Sequence, residues 1–329
     1  MDSLLFAINA VSPIIIMVAI GYILKKLGFM KPDFAKAANK LVFRLFLPAM
    51  LFLNVYKIQK FGDIKFGYVG YVMVAILVIF GLAIPAVMAV TPKAARRGAL
   101  LQATFRSNYA LIGIPLAQSL FGDEGVLVAT LLSAVTIPTL NVLAVISLSI
   151  FREGGEKPSV KKILLGIAKN PLITSVLMGL VALGIRALFV KWGVAFRLTD
   201  IKPVYTVLGY LSNMATPLAL LVLGAQFEFS AVSSLRREIL FGTAMRTVVV
   251  PLVAVGGAYL LFRNQFGGAH FASFVAFFAT PVAVSSVPMA QEMDADATLA
   301  GQLVVWSTLI SALTVFLITF LLKLAGVFG

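Results

Sequence analysis

Cysteine is absent from this chain of 329 residues, and histidine occurs once, at His270. Without thiols the chain forms no disulfide, no thiol-linked haem and no thiolate zinc site. A single imidazole also makes a histidine-based metal centre implausible. These two absences exclude disulfide-stabilised folds and the commonest sites for zinc and for covalently attached haem.

Charged residues are also scarce. They make up only 12% of the chain, whereas 60% of the residues are apolar and the mean hydropathy is +1.02; soluble domains carry about 25% charged residues. No soluble core hides this much apolar surface, so the sequence predicts an integral membrane protein surrounded by lipid. The opening stretch MDSLLFAINAVSP lacks the basic region of a cleavable signal, and we expect it to belong to the first membrane span.

Long apolar runs make up most of the chain. A helix needs about 20 mostly apolar residues to cross the hydrocarbon. Ten stretches meet this requirement, near 4–24, 36–56, 66–90, 98–120, 125–150, 171–190, 203–226, 239–262, 270–291 and 299–322. The longest polar stretch, 151–170, lies between the fifth and sixth spans, and we expect it to be a cytoplasmic linker along the membrane surface. The sequence therefore predicts an all-α membrane protein with ten spans and no sizeable soluble domain.

Lysine and arginine are distributed unevenly between the two sets of connecting loops. The loops after the first, third, fifth and seventh spans carry more of these residues than the loops on the other side. Short basic loops stay in the cytoplasm, so both termini are predicted to be extracytoplasmic, in a multi-pass protein of the cell (plasma or inner) membrane. The net charge of +14 is explained by this topology and by attraction to anionic lipid, and not by nucleic-acid binding.

The two halves of the chain share short similar segments in the same order. PIIIMVAIG (13–21) aligns with PLITSVLMG (171–179), LPAMLFL (47–53) with TPLALLV (216–222), and IPLAQ (114–118) with VPMAQ (287–291). Each half holds five spans, an odd number, so the second half must be inserted upside down. The predicted organisation is a first five-helix repeat over 1–150, the linker 151–170, and an inverted second repeat over 171–329.

Two of the ten spans carry polar interruptions together with residues that disturb a helix. SNYALIGIP (107–115) interrupts the fourth span, and TPVAVSSVP (280–288) interrupts the ninth. Backbone groups freed by such breaks survive in lipid only when they are buried in protein or line a cavity. Paired interruptions at matching places in two inverted halves are typical of a transporter's binding site. The alternative is a plain proline kink without a ligand role.

Three arginines lie within predicted spans: Arg44, Arg106 and Arg246. No aspartate or glutamate lies at comparable depth, the nearest being Glu228 and Glu292 at span ends. Buried cations without carboxylate partners indicate that the missing anion is the substrate, because a guanidinium suits a carboxylate. Alternatively, each arginine extends its charged end to the membrane surface.

Neutral polar residues complete the predicted site. They either hydrogen-bond a ligand or bond one another across helix contacts. The full set of predicted substrate-binding residues is Arg106, Asn108, Tyr109, Gln118, Asn213, Ser285, Ser286, Gln291, Arg246 and Arg44. The predicted helix-crossing residues are Gly113, Pro115, Pro281 and Pro288.

Other functional classes find little support in the residues. There is no phosphate-binding loop of the kind that ATP-driven pumps use, and no set of buried nucleophile, base, paired acids or metal that would suit an enzyme. No cofactor and no metal are predicted. Sodium or a proton remains possible as a coupling ion, and crossing-helix carbonyls near Gln118 and Gln291 are one possible sodium site.

The chain resembles the auxin efflux carrier family, which includes plant auxin exporters and bacterial malonate or malate permeases. The motifs are NYALIGIPL in the fourth span, KNPLITSVLMG opening the sixth, LSNMATPLALLVLG in the seventh and SVPMAQEMDAD in the ninth. The likeness covers essentially the whole chain. It differs from the plant exporters in its short central loop, in Asn213 where they carry an aspartate, and in Arg106, which has no counterpart in their motif.

The resemblance implies a ten-helix inverted-repeat fold shared with bile-acid sodium symporters. Helices one, two, six and seven would form a scaffold that commonly makes a homodimer, and helices three to five and eight to ten would form a moving transport domain. Helices four and nine would cross at Pro115 and Pro288, with Asn108 contacting substrate beside the crossing. The implied mechanism is an elevator-like alternating-access cycle.

The sequence thus predicts a secondary transporter of a small organic anion. Arg106 favours a malate-like or malonate-like dicarboxylate. The alternatives are export of auxin-like aromatic monocarboxylates and a passive anion channel.

Overall fold

Helices form wherever the chain is apolar, because a backbone in hydrocarbon must satisfy its hydrogen bonds within its own segment. The computed structural model describes residues 2–57, 66–152 and 169–328. Most of the predicted linker, 153–168, lies outside these described residues. Within them the fold is helical, and the only extended pairing is one isolated antiparallel bridge, Ser107 with Val282.

The helices fall close to the ten predicted spans. In chain order they are α1 Asp2–Lys26, α2 Pro32–Leu41, α3 Leu47–Tyr56, α4 Phe66–Val90, α5 Ala94–Phe105, α6 Ile114–Ile150, α7 Pro171–Lys191, α8 Lys202–Gln226, α9 Ala231–Ser234, α10 Arg236–Ala244, α11 Val250–Phe262, α12 Gly268–Phe278, α13 Ser286–Glu292 and α14 Ala297–Leu324. A 3₁₀ turn, Leu198–Asp200, precedes α8, and three π-helical segments lie at Val42–Phe46, Tyr109–Gly113 and Met245–Val249.

Seven helical stretches of the described chain are long and apolar enough to cross a membrane. They are Pro32–Tyr56, Gly67–Val90, Tyr109–Ile150, Pro171–Lys191, Lys202–Gln226, Arg236–Phe262 and Ala297–Leu324. Their outward faces carry large apolar side chains such as Leu82, Leu240 and Leu260, each more than two-thirds exposed. Such a surface is stable only against lipid, which confirms a membrane protein.

The stretch Tyr109–Ile150 is 42 residues long, but it is a hairpin and not one straight helix. Phe121 and Gly122 leave helical geometry, and Gly122 has a φ of 54°, which favours glycine. A Cβ on Gly125 would collide with the carbonyl of Ala117, although residues eight apart in a straight helix are separated by about 12 Å. The chain therefore reverses at Gly122, which separates the predicted fourth and fifth spans.

Each π-helical segment is followed by a proline at the second position of the next helix: Pro48, Pro115 and Pro251. Proline has no N–H, and its ring clashes with the carbonyl one turn earlier. A wider π turn relieves that clash while the helix continues. Pro48 and Pro251 thus lie inside helices that pass through a wide turn without breaking.

Glycines allow two pairs of helices to pack backbone against backbone. Gly21 of α1 lies against the carbonyl of Leu221 in α8, and Gly224 of α8 lies against the carbonyl of Val18. In the second pair a Cβ on Gly179 of α7 would lie 3.1 Å from the carbonyl oxygen of Phe52 in α3. A side chain at any of these positions would force the helices apart.

Replacing Gly224 with alanine is expected to destabilise the fold by about 1–3 kcal/mol, because the new methyl group overlaps the Val18 carbonyl. The matched control on the same helix is Gly209→Ala, where nothing lies within 4 Å of the new Cβ. Both variants are purified in detergent, and their thermal unfolding is monitored by size-exclusion chromatography to measure the difference between their unfolding midpoints. Equal unfolding midpoints for the two variants would contradict this packing.

Candidate functional site

The two predicted interruptions contact each other. Helix α5 ends at Phe105, and α12 ends at Phe278. Between these ends the backbones pair antiparallel: the amide of Asn108 donates to the carbonyl of Pro281 at 2.8 Å, and the amide of Ala283 donates to the carbonyl of Arg106 at 3.3 Å. The breaks therefore satisfy each other's freed backbone groups inside the protein, as a break at membrane depth requires.

The last helix takes part in the same pairing. The hydroxyl oxygen of Ser307, in α14, accepts a hydrogen bond of 3.0 Å from the amide of Val282. Both residues are buried. A backbone donor that the break leaves free thus finds a side-chain acceptor on a third element.

The breaks lie before the prolines that the motifs emphasise. The first non-helical residues are Arg106 to Asn108, and Pro115 lies in the first turn of α6. Pro288 lies similarly in the first turn of α13. Pro288 is tolerated in a first turn because its missing N–H would have no helical partner there, whereas Pro115 follows the π turn Tyr109–Gly113, which accommodates it. Pro281 alone lies within a break, where its carbonyl accepts the bond from Asn108.

Gly113 fits where the arm after the first break passes close to α12. A Cβ on this residue would lie 2.6 Å from the carbonyl oxygen of Ala276. Glycine is therefore required by close packing between the two interrupted segments.

Arg246 binds the carbonyl ends of both interrupted helices. Its side chain is 0% exposed. Its Nε donates to Thr280 O at 2.7 Å, its Nη2 to Phe277 O at 2.8 Å, and its Nη1 to Phe105 O at 3.3 Å. The last carbonyls of a helix lack helical partners and carry partial negative charge. The guanidinium therefore stabilises both helix ends together.

Arg106 lies in the first break and is also buried, at 4% exposed. Its Nη2 donates to Asn141 Oδ1 and to Ser285 Oγ, both at 2.8 Å. Its Nη1 donates to Met289 Sδ at 2.7 Å and weakly to Gln102 Oε1 at 3.4 Å. All four acceptors are neutral, and within the described part of the chain Arg106 makes no ion pair with a carboxylate.

Tyr109 points away from the break and fixes the hairpin. Its hydroxyl donates to Ala129 O at 2.9 Å and lies 2.9 Å from Ser273 Oγ. Its ring packs edge-on against Phe277. Tyr109 therefore holds three helical elements together instead of facing a cavity.

A cavity of about 790 Å³ lies beside the paired breaks. Asn108 and Ser285 contribute polar groups from the two breaks, and Lys57 contributes an ammonium group. Its described lining is Pro13, Ile14, Met17, Leu47, Met50, Asn54, Lys57, Asn108, Ala110, Leu111, Ser212, Asn213, Ala215, Thr216, Pro217, Ala219, Leu220, Val284 and Ser285. No carboxylate is among these residues. The Nδ2 of Asn108, a residue 8% exposed, has no hydrogen-bond partner among the described residues.

A second cleft, of about 330 Å³, lies at the C-terminal end of α8, whereas the larger cavity lies beside the middle of that helix. Leu220 lines the larger cavity, and Leu223 lines the cleft. On the second break, Ser285 lines the cavity and Val287 lines the cleft. Residues three apart on a helix differ by one turn, about 5 Å, so the linings of the two spaces come within about one helical turn of each other.

The structure brings only some of the predicted site residues to the cavity. Asn108, Asn213 and Ser285 line it, and Arg106 lies directly behind Ser285. Ser286 is buried, and its carbonyl accepts from Gln102 Nε2. Arg246 and Tyr109 are committed to the contacts described above.

The remaining predicted residues lie elsewhere. Gln291 lines the cleft, and Gln118 is exposed and lines neither space. The suggested sodium site near these two glutamines is therefore not assembled in either cavity. Arg44 is largely exposed, with its Nε 3.8 Å from Glu292 Oε2. Extension towards the surface, the alternative considered for this arginine, fits its position.

Several contributing residues were missed from the sequence. Asn141 and Gln102 are buried acceptors of Arg106, and each is an amide within an apolar stretch. That isolation was a usable signal. Lys57 and Asn54, at the end of α3, line the cavity but resemble ordinary span-end residues. In the described chain no group of three or more histidine, aspartate or glutamate residues could hold a metal ion.

Comparison with known proteins identifies the family. A family profile described as "Membrane transport protein" matches residues 6–319. The chain belongs to this family, the auxin efflux carrier family. It is a multi-pass membrane transporter and not an enzyme. A protein of Methanothermobacter thermautotrophicus described as an "uncharacterized transporter" is 26% identical over 313 residues, which cover 92% of this chain and 94% of that protein.

The Arg106–Asn141 contact gives a stability prediction for the transporter. Asn141→Leu removes an acceptor and leaves a buried N–H of Arg106 short of a partner, which costs about 1–3 kcal/mol. Asn141→Asp keeps the acceptor and adds a negative charge beside Arg106, but it loses the 2.8 Å bond that Asn141 Nδ2 donates to Ile137 O, as Asn141→Leu also does; it is therefore expected to unfold at a higher temperature than Asn141→Leu. Differential scanning fluorimetry compares the two variants. An Asn141→Leu protein as stable as Asn141→Asp would refute the role of Asn141 as a hydrogen-bond acceptor for Arg106.

Proposed function

We propose that this transporter carries a small organic anion, which binds in the 790 Å³ cavity beside the paired breaks. The observation that carries the proposal is Asn108: it lines a cavity whose described lining has no carboxylate, and its buried Nδ2 has no hydrogen-bond partner among the described residues. An unpartnered buried donor is costly, and a carboxylate oxygen would satisfy it. Ser285, held by Arg106, supplies a second polar group from the other break.

The charge balance around the breaks also supports an anion. Arg246 compensates the partial negative charge of the helix ends at Phe105 and Phe277. The arm that restarts at Tyr109 begins beside the cavity at its Asn108 cap, and the start of a helix favours negative charge. Arg106 adds a full positive charge behind Ser285. An anion in the cavity would compensate these charges.

We further propose that the fold consists of ten spans in two inverted repeats, 1–150 and 171–329. The offset of 158 between the first and sixth spans relates Gly21 to Gly179, and the offset of 169 between the second and seventh relates Phe52 to Leu221. The close contacts Gly21–Leu221 and Gly179–Phe52 are therefore equivalent. The third offset, 173, relates Ser107 to Thr280 and Tyr109 to Val282. The equivalent of the pair Ser107–Val282 is therefore Thr280–Tyr109, which belongs to the same antiparallel register. These matched contacts support a two-fold relation.

Alternating access is the mechanism that these features favour. The cavity and the cleft are separate spaces whose linings come within about one helical turn of each other at Leu220 and Leu223, as a site open to one side at a time requires. In the proposed elevator cycle, spans three to five and eight to ten move against a dimeric scaffold of spans one, two, six and seven. The protein would lie in the plasma or inner membrane of the cell, and both termini would be extracytoplasmic.

Two substrate classes remain under this proposal. Arg106 and Lys57 favour a small dicarboxylate of the malonate or malate kind. The mostly apolar lining, which includes Ile14, Met50 and Leu111, favours an aromatic monocarboxylate with an apolar body. A passive anion channel is less well supported, because the cavity and the cleft are separate spaces that share no lining residue among those described.

A charge introduced at Asn108 tests the anion site. Asn108→Asp keeps the side-chain size but places a carboxylate beside the substrate, so uptake of labelled malonate into proteoliposomes is expected to fall at least tenfold by like-charge repulsion. Asn108→Ala, which only removes the donor, should lower uptake by less. Transport by a folded Asn108→Asp protein at the wild-type rate would eliminate this cavity as the anion site.

Counterflow separates a carrier from a channel and ranks the substrates. Proteoliposomes preloaded with an unlabelled substrate are expected to accumulate the labelled one transiently, with saturation, because one site faces each side in turn. Malonate, malate and indole-3-acetate form the test set. Flux that rises linearly with concentration and shows no counterflow would support the channel.

A further inference from the structure

An apolar groove of about 390 Å³ lies on the outer surface of the protein, between α10 and α14. Its α14 wall includes Trp306 and Ile310. The other wall follows α10 into the π-helical segment after it, through residues that are four apart and therefore share one helix face: Arg236, Leu240, Ala244 and Val248. From the first of these to the last the helix rises about 18 Å, which is close to the depth of one hydrocarbon leaflet, about 15 Å.

The groove faces lipid and not the interior of the protein. Its walls belong to Arg236–Phe262 and Ala297–Leu324, two helical stretches that are long and apolar enough to cross a membrane. Leu240, in the lining, is 70% exposed. Thr243 and Thr247 also line the groove, but both are buried, and the hydroxyl of Thr247 donates to Thr243 O at 2.8 Å. The surface that remains is therefore apolar and suits a hydrocarbon chain.

The groove carries a positive charge at one end. Arg236 is exposed and is the ionisable residue of the described lining. Within the described ranges it makes no ion pair with a carboxylate, and Glu238, two residues further on, pairs instead with Arg96 at 2.9 Å. This end of α10 is predicted to face the cytoplasm. A basic residue beside a groove between membrane helices on that side is suited to an anionic lipid headgroup.

We propose that the groove binds one anionic phospholipid, with its phosphate at Arg236 and one acyl chain along α10 and past Trp306. The groove combines a cation at its end with an apolar wall about one leaflet deep, and an anionic lipid combines the same two features. A zwitterionic lipid would fill the same wall, but its own ammonium group competes with Arg236 for the phosphate. The groove and the 790 Å³ cavity share no lining residue, so this inference does not depend on the proposed function.

Tryptophan quenching tests the site directly, because the chain has two tryptophans and one of them, Trp306, lines the groove. Trp192→Phe leaves Trp306 as the remaining indole. This protein is placed in phosphatidylcholine nanodiscs, and phosphatidylglycerol or phosphatidylcholine with brominated chains is added as a minor component. Quenching titrations are expected to give phosphatidylglycerol an affinity about fivefold higher, the gain that one arginine provides near an anionic lipid.

Two outcomes of the titration would overturn the proposal. Equal quenching by the two brominated lipids would mean that the groove holds unselective boundary lipid. No quenching by either lipid would mean that something else covers the groove, such as a helix of a second copy.

Arg236→Gln tests the headgroup contact and should abolish the preference for phosphatidylglycerol. Arg237→Gln is the matched control, because it removes the same charge from the next residue, which does not line the groove and whose Nη2 donates to Ala89 O at 3.1 Å. This control should keep most of the preference. The same loss in both variants would indicate attraction to the whole basic surface and would refute a site at Arg236.

Ala244→Phe tests the wall that holds the acyl chain. Ala244 is exposed and lines the groove, so the new ring extends into the space that the chain would occupy. Quenching of Trp306 by phosphatidylglycerol is expected to fall severalfold. Val249→Phe, at an exposed position outside the lining, is the control and should leave the quenching unchanged. Undiminished quenching in a folded Ala244→Phe protein would place the lipid elsewhere and contradict the proposal.

Discussion

The whole arrangement depends on the need to satisfy backbone groups where two helices are broken within an apolar protein. An unpaired amide or carbonyl in hydrocarbon costs several kcal/mol. The chain meets this requirement by pairing the two breaks through Asn108 and Pro281 and by directing Arg246 at the remaining carbonyls. Either break alone would lack these partners. The two interruptions are therefore mutually dependent, which explains why both halves of the chain carry one.

The two buried arginines have different roles for an electrostatic reason. Arg246 lies at the carbonyl ends of α5 and α12, where the partial negative charges of the helix ends compensate its charge. Arg106 lies just before Tyr109, where the helical segment after the first break begins, and its hydrogen-bond acceptors among the described residues are neutral. One cation thus stabilises the junction, while the other leaves positive potential for an anion. Residue type alone does not distinguish them; their position relative to helix direction does.

The sequence predicted the helices well, because the length of an apolar run determines where a membrane helix can lie. It also located both breaks to within a few residues. It did not predict that Pro115 lies after its break and not in it, since a proline that follows a π turn and a proline that breaks a helix look alike in sequence. The contacts of Arg246 were unpredictable because carbonyl oxygens carry no residue-type signal. The contact between Arg106 and Asn141 depends on the hairpin, whose turn rests on the single residue Gly122.

That hairpin determines how force passes through the molecule. Its two arms are joined by a reversal at Phe121 and Gly122 and are tied again by the Tyr109 hydroxyl on Ala129. With so short a connection and a second fastening near the break, one arm cannot slide along the other. A displacement of Asn108 must therefore carry the entire return arm with it. Asn108 therefore belongs to a rigid pair of helices, and its displacement is determined by the part of the protein to which that pair is attached.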